Sequence, residues 1–286
     1  MGVRGTRVAR QLEIEVTLTV REGKKALLNG APLRAAEQLR TELQTLVFTP
    51  DRLTVVKGVP AVRRAYVDRT LGRLAPARAG LPANYGAAVG QRNAALRRVS
   101  GGFSTQEALA PWTERVATLG RELTEARHEA VATLGVPFER HAHELGLEAA
   151  RLVYEAEPPT VADLEDRLWR DLERGTTSLG PHLDDIGIFA GSRDLRSFGS
   201  QGEQRIAVLS LLLAEASLID ERRGAAPLLL LDDVLSELDE GRRRALLEQL
   251  PAVGQTIVTA TAAAALPAGV TPALVAEVSP GRVLVA

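Results

Sequence analysis

Residues 228–239 have the sequence LLLLDDVLSELD, and this stretch decides the fold. Its four leucines form an apolar run without polar alternation, which is typical of a strand covered on both faces in a parallel sheet between helices. Two adjacent carboxylates, Asp232 and Asp233, follow the run directly. Ligands of open α/β sheets bind beyond the carboxyl ends of the strands. The stretch therefore predicts a central parallel strand with a ligand site at its end.

The two adjacent acids suit different tasks. A carboxylate at a strand end can hold Mg²⁺ directly or through a bound water, and Mg²⁺ usually keeps several waters. A second carboxylate, one residue on, points elsewhere and can orient an attacking water. The alternative is a polar strand exit, at which one aspartate only caps the next helix.

The composition sets limits on the class of protein. With 286 residues, of which 45% are hydrophobic and 25% charged, the chain has the usual composition of a globular protein. It contains no cysteine, which excludes disulfides and thiolate metal sites. The formal net charge is -1, so contact with nucleic acid requires a local basic patch.

Nothing in the sequence predicts a membrane protein. No apolar stretch approaches the ~20 residues that a membrane span needs. The first residues, MGVRGTRVAR, lack the apolar core of a secretory signal. A cytoplasmic location and the lack of a membrane partner fit these observations.

Hydrophobic periodicity divides the chain into three parts. Residues 1–60 begin with strict alternation over residues 12–20, which predicts an antiparallel strand and a returning partner. Residues 61–165 have apolar residues at helical spacing and form a predicted helical lobe, whereas residues 166–286 return to short strands and helices. Further predicted elements are helices over 35–46, 52–57, 82–99, 105–134, 161–173, 200–220 and 240–250, a strand over 255–260 and a terminal hairpin over 273–286. The predicted helix caps are Asp51, Thr160 and Asp239.

A second motif begins the helix that precedes the leucine run. It consists of Ser200, Gln201, Gly202, Glu203 and Gln204. A small hydroxyl residue and a glycine at a helix N-terminus leave backbone N–H groups free and little steric bulk, which favours a phosphate. Alone this motif is weak, because serine and glycine are also ordinary helix caps. Its position some thirty residues before the leucine run makes it more specific.

Taken together, these motifs resemble those of the ATP-binding-cassette (ABC) ATPases, in particular the RecF family of DNA repair proteins. The string SQGEQR resembles their signature motif, LLLLDD their Walker B motif and SELD their D-loop. Two further strings, GPHLDD over residues 180–185 and VKGVPAVRRAYVD over residues 56–68, look specific to RecF. The resemblance implies an α/β fold, with an ABC-ATPase-like head that has a mixed sheet, plus a helical second lobe.

The resemblance also assigns roles to residues. Asp232 would hold Mg²⁺, and Asp233 would be the catalytic residue that polarises the attacking water. The signature residues would bind, in trans, an ATP held by a second subunit: Ser200, Gln201, Gly202, Glu203 and Gln204. Ser236 and Asp239 would lie in the D-loop at the dimer interface, and Thr259 and Thr261 would form the switch region, where many transporter cassettes have a histidine.

The function implied by the resemblance is that of an ATP-dependent, dimerising DNA-binding protein. It would act in recombinational repair, replication restart and the SOS response, at gaps or at junctions of single-stranded and double-stranded DNA. Its partners would be DNA, a RecR-type mediator and a second copy of the chain. Slow hydrolysis of ATP would release the dimer.

Two departures from the family pattern affect this interpretation. Glu203 stands where the family more often has glutamine, which places a carboxylate near the nucleotide. The sequence also lacks the G-x-x-x-x-G-K-[ST] loop, Walker A, whose lysine and amides hold the phosphates. In the family that loop lies near the N-terminus, so roughly 70 residues are expected to be missing here through truncation, a misassigned start codon or true loss. The chain as given is not expected to bind ATP tightly in its own head.

Several residues have alternative interpretations. Arg63, Arg64, Arg92 and Arg97 line a predicted DNA-binding surface, or are salt-bridged residues of an ordinary helix surface. The pair His141 and His143 is predicted to be a solvated helix face rather than a metal site.

Two rival functions remain. The chain is a non-enzymatic adaptor that binds only DNA or a partner, or it is a nucleotide-binding subunit of a transporter or an SMC-like protein. The helical insertion is too short for the long coiled coil of SMC proteins, and the signature and the Asp-Asp pair fit a transporter poorly.

Overall fold

The computed structural model describes residues 2–7, 10–19, 23–33, 43–236, 238–251 and 253–285. The strands are β1 (Gly2–Arg7), β2 (Arg10–Thr19), β3 (Gly23–Leu28), β4 (Ala31–Pro32), β5 (Thr45–Phe48), β6 (Ala150–Val153), β7 (Gly187–Ala190), β8 (Arg193–Asp194), β9 (Leu228–Leu231), β10 (Thr256–Val258), β11 (Ala276–Ser279) and β12 (Arg282–Val285). The α-helices are α1 (Thr54–Lys57), α2 (Pro60–Leu74), α3 (Leu81–Ser100), α4 (Ala110–Glu144), α5 (Val161–Asp166), α6 (Leu168–Arg174), α7 (Leu195–Phe198), α8 (Gln201–Arg223) and α9 (Glu240–Glu248).

The leucine run forms β9, the middle strand of a three-stranded sheet with the order β10–β9–β5. Both neighbours pair with it in parallel: Leu230 lies opposite Val47 of β5 and Ile257 of β10. The predicted central parallel strand is therefore confirmed. Its burial alternates, with Leu229 and Leu231 buried and the other two leucines partly exposed, so the prediction of complete cover on both faces holds for one face only.

The first part of the chain forms an antiparallel sheet of four strands in the order β1–β2–β3–β4. The alternation over residues 12–20 lies in β2, as predicted, and β3 returns beside it. Asn29 and Gly30 connect β3 to β4 with φ values of 51° and 79°, the left-handed pair that a tight hairpin requires. The helix predicted over 35–46 lies mostly outside the described residues, and its last two positions belong to β5 instead.

The long helix α4 is the main departure from the predicted helices. The sequence predicts one helix ending near residue 134 and a shorter one after it, but α4 continues for 35 residues through Pro137. A proline inside a helix removes one backbone hydrogen bond and is costly. Here Phe138 and Ala142, just beyond the proline, are fully buried in the main core, and this packing offsets the cost.

Two hydrophobic cores lie along α4. Its first half contributes Leu119 and Leu123 to a smaller cluster with Tyr85 of α3 and Leu164 of α5. Its second half joins the main core, which also contains most of α8 and the buried face of β9. Helix α8 is buried nearly all round, as its apolar sequence predicts. Consequently α4 connects the smaller helical cluster to the sheet that carries the acids.

Three local predictions differ from the structure. Residues 161–173 form two helices, α5 and α6, with a break at Arg167, although Thr160 caps the first with a capping box as predicted. Asp51 does not cap α1, because residues 50–53 form a 3₁₀ turn and Asp51 instead accepts the Thr54 hydroxyl through its carbonyl oxygen. Strand β6 was not predicted, and it pairs antiparallel with β7.

None of the helices in the described part of the chain combines the length and apolar character that a membrane span requires.

Candidate functional site

The two acids lie at the carboxyl end of β9, and Thr259 from the end of β10 connects them. The Asp232 backbone N–H donates to the Phe48 carbonyl over 2.9 Å, the last ladder bond toward β5. The Thr259 hydroxyl donates to Asp232 Oδ1 over 2.6 Å, while its oxygen accepts the Asp233 backbone N–H over 3.0 Å. The exposed Asp232 carboxylate is thus oriented by a neighbouring strand and remains open to solvent at the sheet edge.

Asp233 has a strained backbone and a carboxylate oxygen without a partner. Its φ is 48°, in the left-handed region that non-glycine residues seldom adopt outside functional turns. Its Oδ1 atom is buried and has no hydrogen-bond partner among the described residues. A buried unsatisfied oxygen is costly and calls for an explanation. A water or a metal-bound water beside Asp233 would donate to it and satisfy it.

These two acids fit Mg²⁺ only together with further oxygen ligands. Within the part of the chain that is described, no group of three or more His, Cys, Asp or Glu residues could hold a metal ion. Mg²⁺ is commonly held by one or two carboxylates plus substrate phosphates and waters. Asp232, which is exposed and has one carboxylate oxygen oriented by Thr259, provides such a ligand.

The N-terminus of α8 presents the signature residues at the surface. Ser200 is the N-cap: its hydroxyl oxygen accepts the Glu203 N–H over 3.2 Å, and Glu203 Oε2 accepts the Ser200 N–H over 2.8 Å. This reciprocal capping box satisfies two backbone donors and leaves the Ser200 O–H able to donate outward. Ser200 and Gln201 are exposed and Gly202 is partly exposed. The tip of α8 is therefore open to a ligand.

Glu203 is also paired with Arg193 of β8. Arg193 Nη2 lies 2.6 Å from Glu203 Oε1. The hydrogen bonds from Arg193 and from the Ser200 backbone lower the pKa of Glu203 to about 2. The carboxylate is therefore charged throughout the neutral pH range.

Gln204 does not face the ligand side, which corrects its predicted role. Its side chain is buried, and its Nε2 donates to the Leu195 carbonyl over 2.7 Å. Gln204 follows the exposed tip of α8, and its side chain lies toward the core. Its hydrogen bond to Leu195 holds α7 against α8. The prediction that Gln204 contacts ATP is therefore wrong for this fold.

The predicted D-loop residues lie between the two acids and α9. Ser236 donates its hydroxyl to the Asp233 carbonyl over 3.2 Å. Asp239 caps α9 as predicted, with Oδ1 accepting the Arg242 N–H over 2.9 Å. Arg242 Nη1 lies 3.9 Å from the position that a Cβ on Gly202 would occupy, so the start of α9 is beside the tip of α8.

The structure brings the predicted site residues together in two groups. One contains Asp232, Asp233, Thr259 and Ser236, and the other contains the tip of α8 with Asp239 near it. Among the described residues, no hydrogen bond or ion pair joins the tip of α8 directly to the acids. Thr261 is exposed, two residues beyond Thr259.

Two of the four arginines predicted to contact DNA are buried. Arg92 has no exposed surface and lies 2.6 Å from Asp171, which is equally buried. Arg63 forms two 2.7 Å bonds to Asp185 and also donates to the carbonyl of Gly58. A buried and paired guanidinium does not reach a phosphate backbone, so the prediction is wrong for Arg63 and Arg92.

The other two arginines are more accessible. Arg64 is partly exposed and donates to the Asp184 carbonyl, whereas Arg97 is exposed and donates to the Gly175 carbonyl over 3.3 Å. Their contact with DNA stays a prediction.

The strings VKGVPAVRRAYVD and GPHLDD contact each other. Arg63 binds Asp185, Arg64 binds the carbonyl of Asp184, and Tyr154 donates to Asp184 Oδ2 over 2.7 Å. Arg127 of α4 completes the network, because it forms bonds of 2.8 and 2.9 Å to Asp68 and also donates to the Pro181 carbonyl. Sequence reasoning missed Arg127 and Tyr154. The signal in the sequence for such a network was the presence of two doublets of opposite charge, Arg63-Arg64 and Asp184-Asp185.

The histidine pair is divided between core and surface. His141 is buried, with Nδ1 2.7 Å from Gln249 Oε1 and Nε2 3.0 Å from Ser217 Oγ. His143 is exposed. The predicted solvated face is therefore wrong for His141, which connects α4 to α8 and to the end of α9.

Comparison with known proteins identifies several relatives. No family model matches the chain. The DNA replication and repair protein RecF of Heliobacterium modesticaldum is 36% identical over 273 residues, which cover 90% of this chain and 73% of that protein. RecF of Bacillus mycoides is 34% identical over 278 residues, which cover 91% of this chain and 74% of the relative.

Solved structures show the same fold. RecF-ATPrS, described as a recombination mediator protein of the RecFOR pathway, matches with a TM-score of 0.80 at 24% identity, over 99% of this chain and 79% of that one. The Smc head domain from Pyrococcus furiosus, bound to the C-terminal domain of ScpA, matches with a TM-score of 0.54 at 14% identity, over 96% and 71% of the two chains. The predicted α/β head fold is thereby confirmed.

Proposed function

The chain belongs to the RecF family of DNA replication and repair proteins, and from that membership we propose that it forms ATP-dependent dimers through composite nucleotide sites. In such a dimer the tip of α8 binds the γ-phosphate of an ATP held by a second head. The observation that carries this proposal is the capped tip of α8, at which Ser200 is exposed and Gly202 is partly exposed. A helix N-terminus with small residues favours phosphate oxygens through its free N–H groups and its dipole.

The separation of the two residue groups supports a site formed in trans. Within the described part of one chain, the acids at the end of β9 and the tip of α8 share no direct hydrogen bond or ion pair, so each group presents half of a phosphate site. The position of Arg242 beside Gly202 supports the same geometry, since it keeps the D-loop residue Asp239 on the side of the α8 tip. Asp239 and the tip of α8 would then face the same partner subunit.

Asp232 and Asp233 would act on the nucleotide bound in their own head. Thr259 holds Asp232 with one oxygen hydrogen-bonded and the carboxylate exposed, which suits a Mg²⁺ ligand. When bound, Mg²⁺ neutralises charge on the phosphates. Asp233 keeps a buried oxygen that can accept a proton from an attacking water.

DNA and a mediator protein are the proposed macromolecular partners. Two solved neighbours are RecF proteins of the RecFOR pathway, and a RecR-type mediator is proposed here by analogy. Arg64 and Arg97 are the predicted arginines that remain accessible to DNA. Gaps or junctions of single-stranded and double-stranded DNA are the proposed substrates, and a cytoplasmic location goes with them.

We also propose the division into head and helical lobe, with residues 1–60 and 166–286 in the head and residues 61–165 in the lobe. The smaller cluster of Tyr85, Leu119, Leu123 and Leu164 supports a separate lobe core. The second half of α4 and strand β6 pack with the head, so α4 connects the lobe to the head.

A second candidate is a non-enzymatic adaptor. The observation that favours it is the lack of a G-x-x-x-x-G-K-[ST] string in the sequence. The adaptor would bind DNA, or bind a complete RecF-family protein, without holding ATP itself.

The first experiment measures whether the 286-residue chain associates with a RecF-family protein that carries a Walker A loop, hereafter the Walker A partner, with ATP and without it. The proposal expects association that requires ATP and is lost in the variant Ser200→Arg, which blocks the α8 tip. The matched control is Ser197→Arg, an exposed serine on the preceding turn. Association that is equally strong with and without ATP, and that is unchanged in Ser200→Arg, would instead support the adaptor.

The second experiment measures ATP binding by the chain and by an extended chain that includes any in-frame upstream codons for a Walker A loop. If only the extended chain binds ATP, Asp233→Asn in that form is expected to retain binding, slow hydrolysis and prolong the dimer. Unchanged hydrolysis in this variant would remove Asp233 from its proposed role.

A further inference from the structure

We propose that Arg193 is a positioning residue of the α8 tip, where its guanidinium neutralises the Glu203 carboxylate and so lets a triphosphate from a second head approach Ser200 and Gly202. The inference rests on the proposed function, because it concerns the same half-site. It assigns a role to a residue outside the signature motif.

The contacts place a full negative charge at the tip of α8. Glu203 Oε2 accepts the Ser200 N–H over 2.8 Å, which brings the carboxylate beside the residue that would contact phosphate. Arg193 of β8 pairs with this carboxylate: Nη2 lies 2.6 Å from Oε1, and Nη1 lies 3.4 Å from Oε2. Arg193 Nη1 also donates to the Phe198 carbonyl over 3.4 Å, so the side chain spans the turn that leads into α8.

The balance of charge decides whether the tip attracts or repels an anion. A helix N-terminus carries about half a positive elementary charge, which is less than the charge of one carboxylate. Arg242, the other cation beside Gly202, has its own carboxylate partner, Asp239, at 3.5 Å. With Glu203 unpaired the tip would therefore be net negative and would repel a phosphate. With Arg193 paired to Glu203 the positive helix dipole is the charge that remains.

Protonation cannot replace Arg193 in this role. The pair keeps the pKa of Glu203 at about 2, far below neutral pH. Without Arg193 the pKa would return toward the ordinary glutamate value of about 4.3, and the carboxylate would still be charged at pH 7. Only a nearby cation can neutralise it.

The pair lies at the surface, which separates binding from stability. The side chain of Arg193 is 50% exposed and that of Glu203 is 24% exposed. Ion pairs at such positions contribute little to the stability of the fold. Removing Arg193 should therefore change the affinity of the tip for phosphate without unfolding the chain.

The experiment measures the dissociation constant of the 286-residue chain and the Walker A partner with ATP. Arg193→Ala is expected to weaken ATP-dependent association by about tenfold, because an uncompensated carboxylate then faces the phosphates. The double variant Arg193→Ala, Glu203→Gln is expected to return within about threefold of the original chain, since glutamine keeps the capping box and removes the charge. Arg193→Lys should retain part of the affinity, because lysine keeps the positive charge but not the two-point contact with Glu203.

The outcomes distinguish this inference from the proposed function. If the unaltered chain shows no ATP-dependent association, the proposed function fails. If that association is present but Arg193→Ala leaves it unchanged, the inference is overturned. It is equally overturned if the double variant stays as weak as Arg193→Ala. Arg193 would then affect association only through its hydrogen bond to the Phe198 carbonyl, and not by neutralising Glu203. Thermal unfolding of each variant confirms that the fold is retained.

Discussion

Thr259 and Asp232 are joined by a 2.6 Å hydrogen bond that connects the ends of two neighbouring parallel strands. The same hydroxyl oxygen accepts the Asp233 N–H, so one threonine orients both acids. The acids come from a motif that is evident in the sequence, but their orientation depends on a residue 27 positions away along the chain.

Thr259→Val should therefore disturb the orientation of Asp232 and Asp233 while the side chain at position 259 keeps nearly the same shape. Valine keeps the branched side chain but removes both hydrogen bonds, so Asp232 loses its fixed rotamer and Asp233 loses a backbone partner. We expect hydrolysis in the extended chain to fall at least about tenfold, with a stability loss of about 1–2 kcal/mol. Steady-state ATPase assays and urea unfolding measure the two effects. Thr261→Val, at an exposed threonine two residues on, is the control, and an equal effect there would contradict the role of Thr259.

Arg92→Met should destabilise the fold strongly, because it leaves the fully buried carboxylate of Asp171 without its cation. Breaking a buried pair by removing one partner costs about 3–5 kcal/mol. Urea unfolding of the chain checks this. Arg98→Met, at an exposed arginine on the same helix, should stay within about 0.5 kcal/mol of the original chain. Equal stability of the two variants would show that the Arg92–Asp171 pair is dispensable.

Gly180→Ala should be costly for two independent reasons. Gly180 has a φ of 125°, and a Cβ there would clash with Tyr85 Oη. Tyr85 is itself fixed by a 2.8 Å contact with His182, so it has little room to move. We expect a loss of about 2–4 kcal/mol in chemical unfolding.

The matched control for Gly180 is Gly191→Ala. Gly191 has a φ of 58°, but no atom of the described residues lies within 4 Å of the position that its Cβ would take. Its cost should be limited to backbone strain of about 1 kcal/mol. If both variants lost equal stability, the contact with Tyr85 would not matter.

Stability should fall in mildly acidic solution because two histidines are held neutral. Burial is the main cause that lowers the pKa of His141 and of His182 below the ordinary value of 6.5. His141 contacts Gln249 and Ser217 and lies near Glu144 and Arg140, while His182 contacts Tyr85 and Thr177 and lies near Arg64, Asp184 and Asp171.

The direction in which stability changes with pH follows from the lowered pKa values. Each histidine binds its proton more readily in the unfolded chain, so its contribution is complete above pH 6.5 and is lost as the pH falls from 6.5 through the lowered folded pKa. The slope should reach at most about 1.4 kcal/mol per pH unit for each histidine. His141→Gln should reduce this slope between pH 7 and about pH 5. An equal slope in this variant and in the original chain would contradict the prediction.

Arg97→Ala should weaken DNA binding, since Arg97 is an exposed arginine that has no carboxylate partner among the described residues. One lost phosphate contact should reduce the salt dependence of binding by about one unit in log–log slope. Arg78→Ala is the matched control, because Glu129 already neutralises that exposed arginine. Fluorescence anisotropy with gapped DNA at several salt concentrations measures both. Identical salt dependence for Arg97→Ala and the original chain would show that Arg97 does not contact a DNA phosphate.

Much of the head could be predicted from local patterns. The leucine run predicted β9 and the alternation over residues 12–20 predicted β2, because the period of a strand depends on neighbours in sequence. The caps Thr160 and Asp239 were also predicted, since a cap bonds to a backbone N–H only three residues away.

The failures have a common physical cause. The predicted helix ended near residue 134, yet burial of Phe138 in the main core keeps α4 continuous through Pro137. Arg63 and Arg92 have the sequence context of a basic surface, but Asp185 and Asp171 lie 122 and 79 positions away along the chain and pair with them after folding. No local pattern contains such partners.

The sequence by itself therefore determined the elements and the motif residues: the strand that ends in Asp232 and Asp233, and the helix that begins at Ser200. Only the tertiary structure decided how those residues are presented. It placed Thr259 against both acids, turned Gln204 inward and set Arg193 against Glu203. These contacts join different elements across 27, 9 and 10 positions, which is beyond the reach of a strand period or a helix cap.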